Sequence, residues 1–339
     1  MELHRIGIVI AWIFLYGYLI VASVDFGAGF FSFYGKVTKR DHIINPIIDR
    51  YLSPVWEVTN VFLIFFVYAV IGFFPDVAFM YGIALLVPGS VALLLIALRG
   101  SFYAFANYGA RKNIAYLFIY GVTGLLIPAS LATLLTISEG GFIVAEGQHV
   151  ELLLGKLIGS PYAWVVVILA IVSVLFISAT FLTYYADRAK DTGARELLRR
   201  FALYNSLPTI FMSFLAFFTL RNHNPEHFDR MLAISWMFMV SLGCFLVALA
   251  LIIQRKRYGI AFFFVMLQFA FAFFGYGRSH MPYLLYPYLT IESGVTSEAM
   301  GLALIVAFIG GILLLVPSLI LLMRLFIFSA NYVQGKKQT

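Results

Sequence analysis

Residues 6–35 read IGIVIAWIFLYGYLIVASVDFGAGFFSFYG, an apolar run broken by one charge, Asp25. The run exceeds the roughly 20 residues a helix needs to cross the hydrocarbon core of a bilayer, so it reads as a membrane span. A carboxylate inside a span costs about 2.5–3.5 kcal/mol on insertion scales and is rarely kept without a use. On a helix Asp25 shares a face with Tyr18, Val21, Ala22, Ala28, Gly29 and Ser32. Small side chains there let a neighbouring helix approach, so Asp25 is expected to face protein or internal water.

The rest of the chain has the same character. Its 339 residues are 62% hydrophobic and 12% charged, with mean hydropathy +0.95. A soluble domain carries roughly 25% charged residues, and no water-soluble fold hides this much apolar surface. Further apolar runs cover 55–74, 77–98, 114–137, 162–184, 201–220, 231–253, 259–279 and 300–328. With the first, at 7–34, they predict an all-α polytopic membrane protein of nine transmembrane helices. The alternating ten-residue segments of a membrane β-barrel are absent.

Basic residues set the expected orientation. The connections 36–54, 99–113, 185–200 and 254–258 and the C-terminal end hold 18 of the 23 Lys and Arg residues. The N-terminus and the connections near 75–76, 138–161, 221–230 and 278–299 hold the other 5. This bias predicts the N-terminus outside and the C-terminus in the cytoplasm. The net charge of +7 then lies along the cytoplasmic face beside anionic lipid, and no nucleic-acid partner is expected.

A faint repeat runs through the chain. Basic connections follow the first and fifth spans, and Tyr51-Leu52-Ser53-Pro54 opens the second span much as Tyr204-Asn205-Ser206-Leu207-Pro208 opens the sixth. Four spans per unit keep the two units in the same orientation. The expected organisation is a first four-helix bundle at 1–137, a second at 138–279, and a peripheral ninth helix with its tail at 280–339.

Glu57 is the second carboxylate of note. It is expected in the first turn of its span, three residues after Pro54, where an acid also suits the helix dipole. Asn60 lies one turn deeper on the same face. Arg99 closes the third span in Leu98-Arg99-Gly100-Ser101-Phe102, either as a headgroup anchor or as a counter-ion for Asp25 or an anionic cofactor group. The three form a candidate proton path, with Asp25 and Glu57 as the carriers.

The histidines point elsewhere. His4, His42, His149, His223, His227 and His280 lie in connections or at span ends. Haem iron needs an axial His, Met, Cys or Tyr, and paired His is the commonest membrane arrangement, so no haem is expected on this chain. His223 and His227 flank Pro225 at a weak metal spacing, with solvated loop residues the simpler reading, and no metal site is expected. Cys244 is the only cysteine and has no partner for a disulfide. The stretch from Gly275 to Tyr283 reads as a polar aromatic cap, an interfacial belt or a contact for a partner subunit.

Three of these motifs resemble subunit II of the cytochrome bd-type quinol oxidases. Val24-Asp25-Phe26-Gly27-Ala28-Gly29 is similar to the family's aspartate–glycine segment, and Pro54-Val55-Trp56-Glu57 to its Pro-x-Trp-acid motif, with Glu where Asp is usual. Leu98-Arg99-Gly100-Ser101-Phe102-Tyr103 is similar to its basic-aromatic span end. The resemblance implies a subunit of a terminal quinol oxidase that reduces oxygen to water in a bacterial or archaeal cytoplasmic membrane. It implies a haem-bearing subunit I that carries haems b and d and binds quinol, with a small third subunit as a further possible partner. This chain would support the haem site and supply a cytoplasmic proton route. A proton-coupled secondary transporter would use the same carboxylates beside broken helices, with Pro88-Gly89 and Pro128 as candidate breaks.

Overall fold

The computed structural model describes residues 3–106, 113–146, 149–293, 295–322 and 324–325, with 3, 51–58, 102–106, 146 and 149 described by their backbone alone. The chain runs α1 (Leu3–Val37), α2 (Asp41–Phe73), α3 (Pro75–Ala84), α4 (Leu86–Ala106), α5 (Ile114–Ser138), β1 (Ile143–Glu146), β2 (His149–Leu152) and α6 (Leu154–Gly159). It continues α7 (Pro161–Arg188), α8 (Thr192–His223), α9 (Pro225–Ala233), α10 (Ser235–Ile253), α11 (Tyr258–His280), β3 (Tyr283–Leu285), β4 (Leu289–Thr290) and α12 (Glu298–Leu322). The protein is a helical multi-pass membrane protein.

The order of elements occurs twice. A long helix, a second long helix, a short helix that opens on proline, two further helices and a β-hairpin make up α1–β2, and the same order recurs in α7–β4. Local chemistry repeats with it. After α1, Lys39 takes a left-handed conformation (φ 58°) and the Arg40 amide donates to the Gly35 carbonyl at 2.7 Å. After α7, Lys190 does the same (φ 59°) and the Asp191 amide donates to the Ala186 carbonyl at 3.1 Å. Both are closures of the kind that ends helices through a left-handed residue. Asp191 then caps α8 by accepting from the Ala194 amide at 3.0 Å.

Among the described residues, seven helices are long and apolar enough to cross a membrane: α1, α5, α7, α8, α10, α11 and α12. An eighth span results if the apolar end of α2 and α3, bent by 119°, count together. The sequence predicts nine, and the difference lies in its second and third runs. The third is broken at Leu85, because Pro88 has no amide to continue α3 through the Ala84 carbonyl but fits the first turn of α4. The break is not at Pro88-Gly89 itself, and α5 passes through Pro128 without interruption.

Long helices start earlier than their apolar runs. α2 begins at Asp41, where Lys36 Nζ meets Asp41 Oδ2 at 2.9 Å and this hydrogen bond holds the Asp41 carboxyl below its ordinary value. Ile44, Ile47 and Ile48 lie on one face of this early stretch and are fully buried.

The largest apolar cluster joins both halves. It takes Val24 and Ala28 from α1, Ile47 from α2, Tyr120 from α5, Ile177 and Tyr185 from α7, Ala202 from α8, Phe245 from α10 and Val265 from α11. A second cluster packs Phe14 of α1 against Phe65 and Phe73 of α2 and Phe308 of α12. α12 is otherwise the least covered spanning helix. The two hairpins pack together at one end, over Ile137 and Ala84.

Candidate functional site

Asp25 sits at the meeting point of three helices. Arg99 of α4 donates from Nε to Asp25 Oδ2 at 3.0 Å and from Nη2 to the Asp25 carbonyl at 2.8 Å. Its Nη1 donates to the Tyr120 carbonyl of α5 at 2.6 Å. The Tyr120 hydroxyl donates to the other carboxylate oxygen, Oδ1, at 3.1 Å. The Arg99 guanidinium carbon lies 3.7 Å from the Tyr120 ring centroid and 5.3 Å from that of Phe26. Asp25 is 1% and Arg99 2% exposed, so this ion pair is inside the protein, away from lipid and headgroups.

The residue types follow from that burial. Taking two ions out of water is repaid only when geometry is good and the remaining polar atoms are satisfied. A planar guanidinium can meet a carboxylate and two main-chain carbonyls at once, which a lysine ammonium on one axis cannot do as well. The surrounding helices must also be close. A Cβ on Gly29 would stand 2.9 Å from Tyr120 Cδ1 and 3.0 Å from Arg99 Nη2. A Cβ on Gly27 would collide with Ser178 of α7, whose hydroxyl donates to the Val24 carbonyl at 2.8 Å. The glycines of the Asp25 segment are thus contact points for α5 and α7.

Chemically, the grouping holds a carboxylate and a permanent cation as one neutral pair. Tyr120 adds an exchangeable proton against Oδ1. Tyr120 is the partner that the sequence did not single out, because a tyrosine in an aromatic-rich span carries no distinguishing signal.

Glu57 has a different place in its helix from the one expected. It lies well inside α2, which starts at Asp41, so it is not a first-turn residue and neither the helix start at Pro54 nor the dipole accounts for it. The Glu57 side chain, like those of Pro54, Val55 and Trp56, lies outside the described residues. Two residues on, Thr59 is buried.

A second polar cluster was not anticipated. His227, expected in solvent, is fully buried on α9, and its partner is not His223 but Glu139, the residue that ends α5. His280, at the end of α11, stands 3.5 Å from the same carboxylate. Tyr276 and Ser279, expected in an interfacial cap, also turn inward to this cluster. His223 instead stacks between Phe142 and Tyr162 and its Nε2 contacts the Gly140 carbonyl at 3.1 Å. Gly140 and Gly141 both have positive φ, 84° and 80°, and a Cβ on Gly140 would stand 2.6 Å from the Tyr286 carbonyl oxygen. The only sequence trace of this turn is Glu139-Gly140-Gly141 at a span end. Glu139, His227 and His280 come from three separate connections, and spacing within one connection cannot reveal such a group.

A family model described as "Cytochrome bd terminal oxidase subunit II" matches residues 3–326. The chain is 33% identical over 341 residues to a Bacillus subtilis (strain 168) protein named "Putative cytochrome bd menaquinol oxidase subunit II", with 98% of each chain covered. Among solved structures it is similar to a chain in the structure of bd oxidase from Geobacillus thermodenitrificans, with TM-score 0.85 and 56% identity, covering 97% of this chain and 100% of that one. The chain therefore belongs to the cytochrome bd terminal oxidase subunit II family, as a membrane-spanning component of a respiratory quinol oxidase complex.

Proposed function

We propose that this chain supports assembly of the haem site in its partner, subunit I, and supplies a cytoplasmic proton route for reduction of oxygen to water. Glu57 takes protons near the basic face, Asp25 stands further along the route, and Arg99 sets the charge balance at Asp25. The observation that carries this reading is the buried Asp25–Arg99–Tyr120 grouping, an ionisable cluster held by three helices inside the apolar core. With Arg99 always charged, the site is neutral while Asp25 is a carboxylate and becomes a cation when a proton arrives. Proton arrival thus changes the local field, which suits a route coupled to electron transfer in a neighbouring subunit.

The haems belong to subunit I in this reading. The described histidines support it: His227 and His280 face Glu139, His223 is stacked between aromatic rings, and none lies in the middle of a span. These positions do not fit axial ligation of a haem plane within the bilayer. When bound in the complex, the haems supply the redox chemistry, and this chain's side chains carry charge and protons. The expected orientation, cytoplasmic C-terminus included, puts Glu57 and Arg99 toward the cytoplasm. The division into two bundles, at 1–137 and 138–279, and a peripheral ninth helix draws support from the repeated order of elements for the number of units, while that order carries each unit through its hairpin, to Leu152 and Thr290. The transporter reading has no support, since the family match and the relatives are all those of an oxidase subunit.

Co-purification tests the partnership. The chain produced alone, folded and pure, is expected to show no haem absorption. Produced together with its genomic partner, it is expected to elute with a haem-bearing subunit in one-to-one ratio. Stoichiometric haem on the isolated chain would overturn the division of labour.

A further inference from the structure

We propose that Glu139, His227 and His280 form a binding site for a divalent transition-metal ion of the zinc class. The site is built at the end of the molecule opposite Asp25. Tyr120 and Glu139 lie near the two ends of α5, about 28 Å apart at 1.5 Å per residue, so a membrane thickness separates the two clusters.

Glu139, His227 and His280 are buried together. His227 Nδ1 lies 2.9 Å from both oxygens of Glu139. Its Nε2 lies 2.7 Å from the Ser279 hydroxyl, which is also 2.8 Å from the Tyr276 carbonyl. Between Nδ1 and the carboxylate stands either a proton or a metal ion.

His280 distinguishes the two. Its side chain is buried beside Glu139, and neither Nδ1 nor Nε2 has a hydrogen-bond partner. With a proton between His227 and Glu139, His280 Nδ1 only stands 3.5 Å from Glu139 Oε1, and neither of its nitrogens makes a hydrogen bond. A metal ion uses one of them. The ligand atoms of the three side chains all lie within 4.8 Å of one another. Zinc bonds of about 2.0–2.2 Å to nitrogen and oxygen place tetrahedral ligands roughly 3.3 Å apart, against 2.9 and 3.5 Å here for the two imidazoles to Glu139 Oε1. Those two separations bracket the zinc value, and the three ligand atoms would draw in from within 4.8 Å of one another to meet an ion.

The surroundings match those of a metal centre. The second nitrogen of His227 is held by Ser279, the kind of outer partner that fixes the orientation of a metal-bound imidazole. The carboxylate is itself held, by Asn224 Nδ2 on Oε2 at 3.0 Å and by the Tyr276 hydroxyl on Oε1. Asn224 also caps α9 by accepting from the His227 amide at 3.0 Å, so the helix start and the ligand are positioned together. Two imidazoles and one carboxylate form a set suited to zinc and neighbouring divalent ions, and a poor one for calcium or magnesium. The ion would tie the connections after α5, α8 and α11 to one point.

The test is zinc content per copy of this chain. The intact oxidase complex, purified without chelator, is loaded with Zn2+, passed through gel filtration, and analysed by elemental mass spectrometry. The wild type is expected to retain one zinc per copy of this chain. His280→Ala and His227→Gln are expected to lose at least nine-tenths of it while the complex keeps its absorption spectrum. A strong chelator should lower the wild-type unfolding temperature and leave that of His280→Ala unchanged. If the variants fail to assemble, X-ray absorption of the zinc-loaded wild type decides, with two imidazole nitrogens expected in the zinc shell. No retained zinc in the wild type, equal zinc in His280→Ala, or a zinc shell without imidazole overturns the proposal. The readout counts metal on this chain, so it is independent of whether the proton route is correct.

Discussion

At the scale of single residues, Asp25 and Arg99 depend on each other. Removing one partner of a buried pair leaves an uncompensated charge and costs about 3–5 kcal/mol. Asp25→Asn and Arg99→Gln should each lower the unfolding temperature of the complex strongly. The double variant should be less destabilised than the sum of the two, because it strands neither charge. Additive losses would mean the two groups do not sense each other. Gly27→Ala should cost about 1–3 kcal/mol by overpacking α1 against α7, and adding Ser178→Gly should recover part of the loss. Burial of Asp25 was legible from its small-residue face. The choice between anchor and counter-ion for Arg99 was not, because a basic span end reads the same in both cases until the fold brings α1 and α4 together. Glu139, His227 and His280 were illegible for a sharper reason: each is an ordinary span-end residue, and only the packing of three connections makes them a group.

At the scale of elements, apolar run length located helices and misjudged their limits. The charges of 36–54 read as a connection, yet this stretch becomes the start of α2 because Ile44, Ile47 and Ile48 recur on one face and are buried against α7 and α8. The isoleucine spacing was present in the sequence, but charged neighbours outweighed it in a hydropathy reading. Thr192–His223 begins before its apolar run in the same way. Ile47→Ala should therefore cost about 2–5 kcal/mol, the range for truncating a core side chain, measured as a drop in unfolding temperature. An effect below about 0.5 kcal/mol, typical of surface changes, would mean that the start of α2 is not part of the core. Short helix α9 and the two hairpins were hidden in what the sequence offered only as connections, and α3 inside its third apolar run, since each relies on contacts from elsewhere in the chain.

At the scale of the whole molecule, large apolar side chains remain uncovered on several faces. Leu93 and Leu94 of α4, Leu207 and Phe211 of α8, Met239 and Leu246 of α10, and Leu313 and Leu314 of α12 are all exposed. In a bilayer these faces meet lipid tails or another subunit, and small differences in packing decide which. The proposed proton route links this molecular scale back to Glu57 and Asp25. Its direct test is oxygen consumption per assembled haem in the complex carrying Glu57→Gln, compared with Glu57→Asp and with Asp25→Asn. Loss of an exchangeable proton at Glu57 should slow turnover by about ten-fold or more, as removal of a positioned proton-transfer group does, while Glu57→Asp should stay close to the parental rate and Asp25→Asn should be slow per haem even where assembly falls. Full assembly and parental turnover in both Glu57→Gln and Asp25→Asn would contradict the route and leave the Asp25–Arg99 pair a structural one.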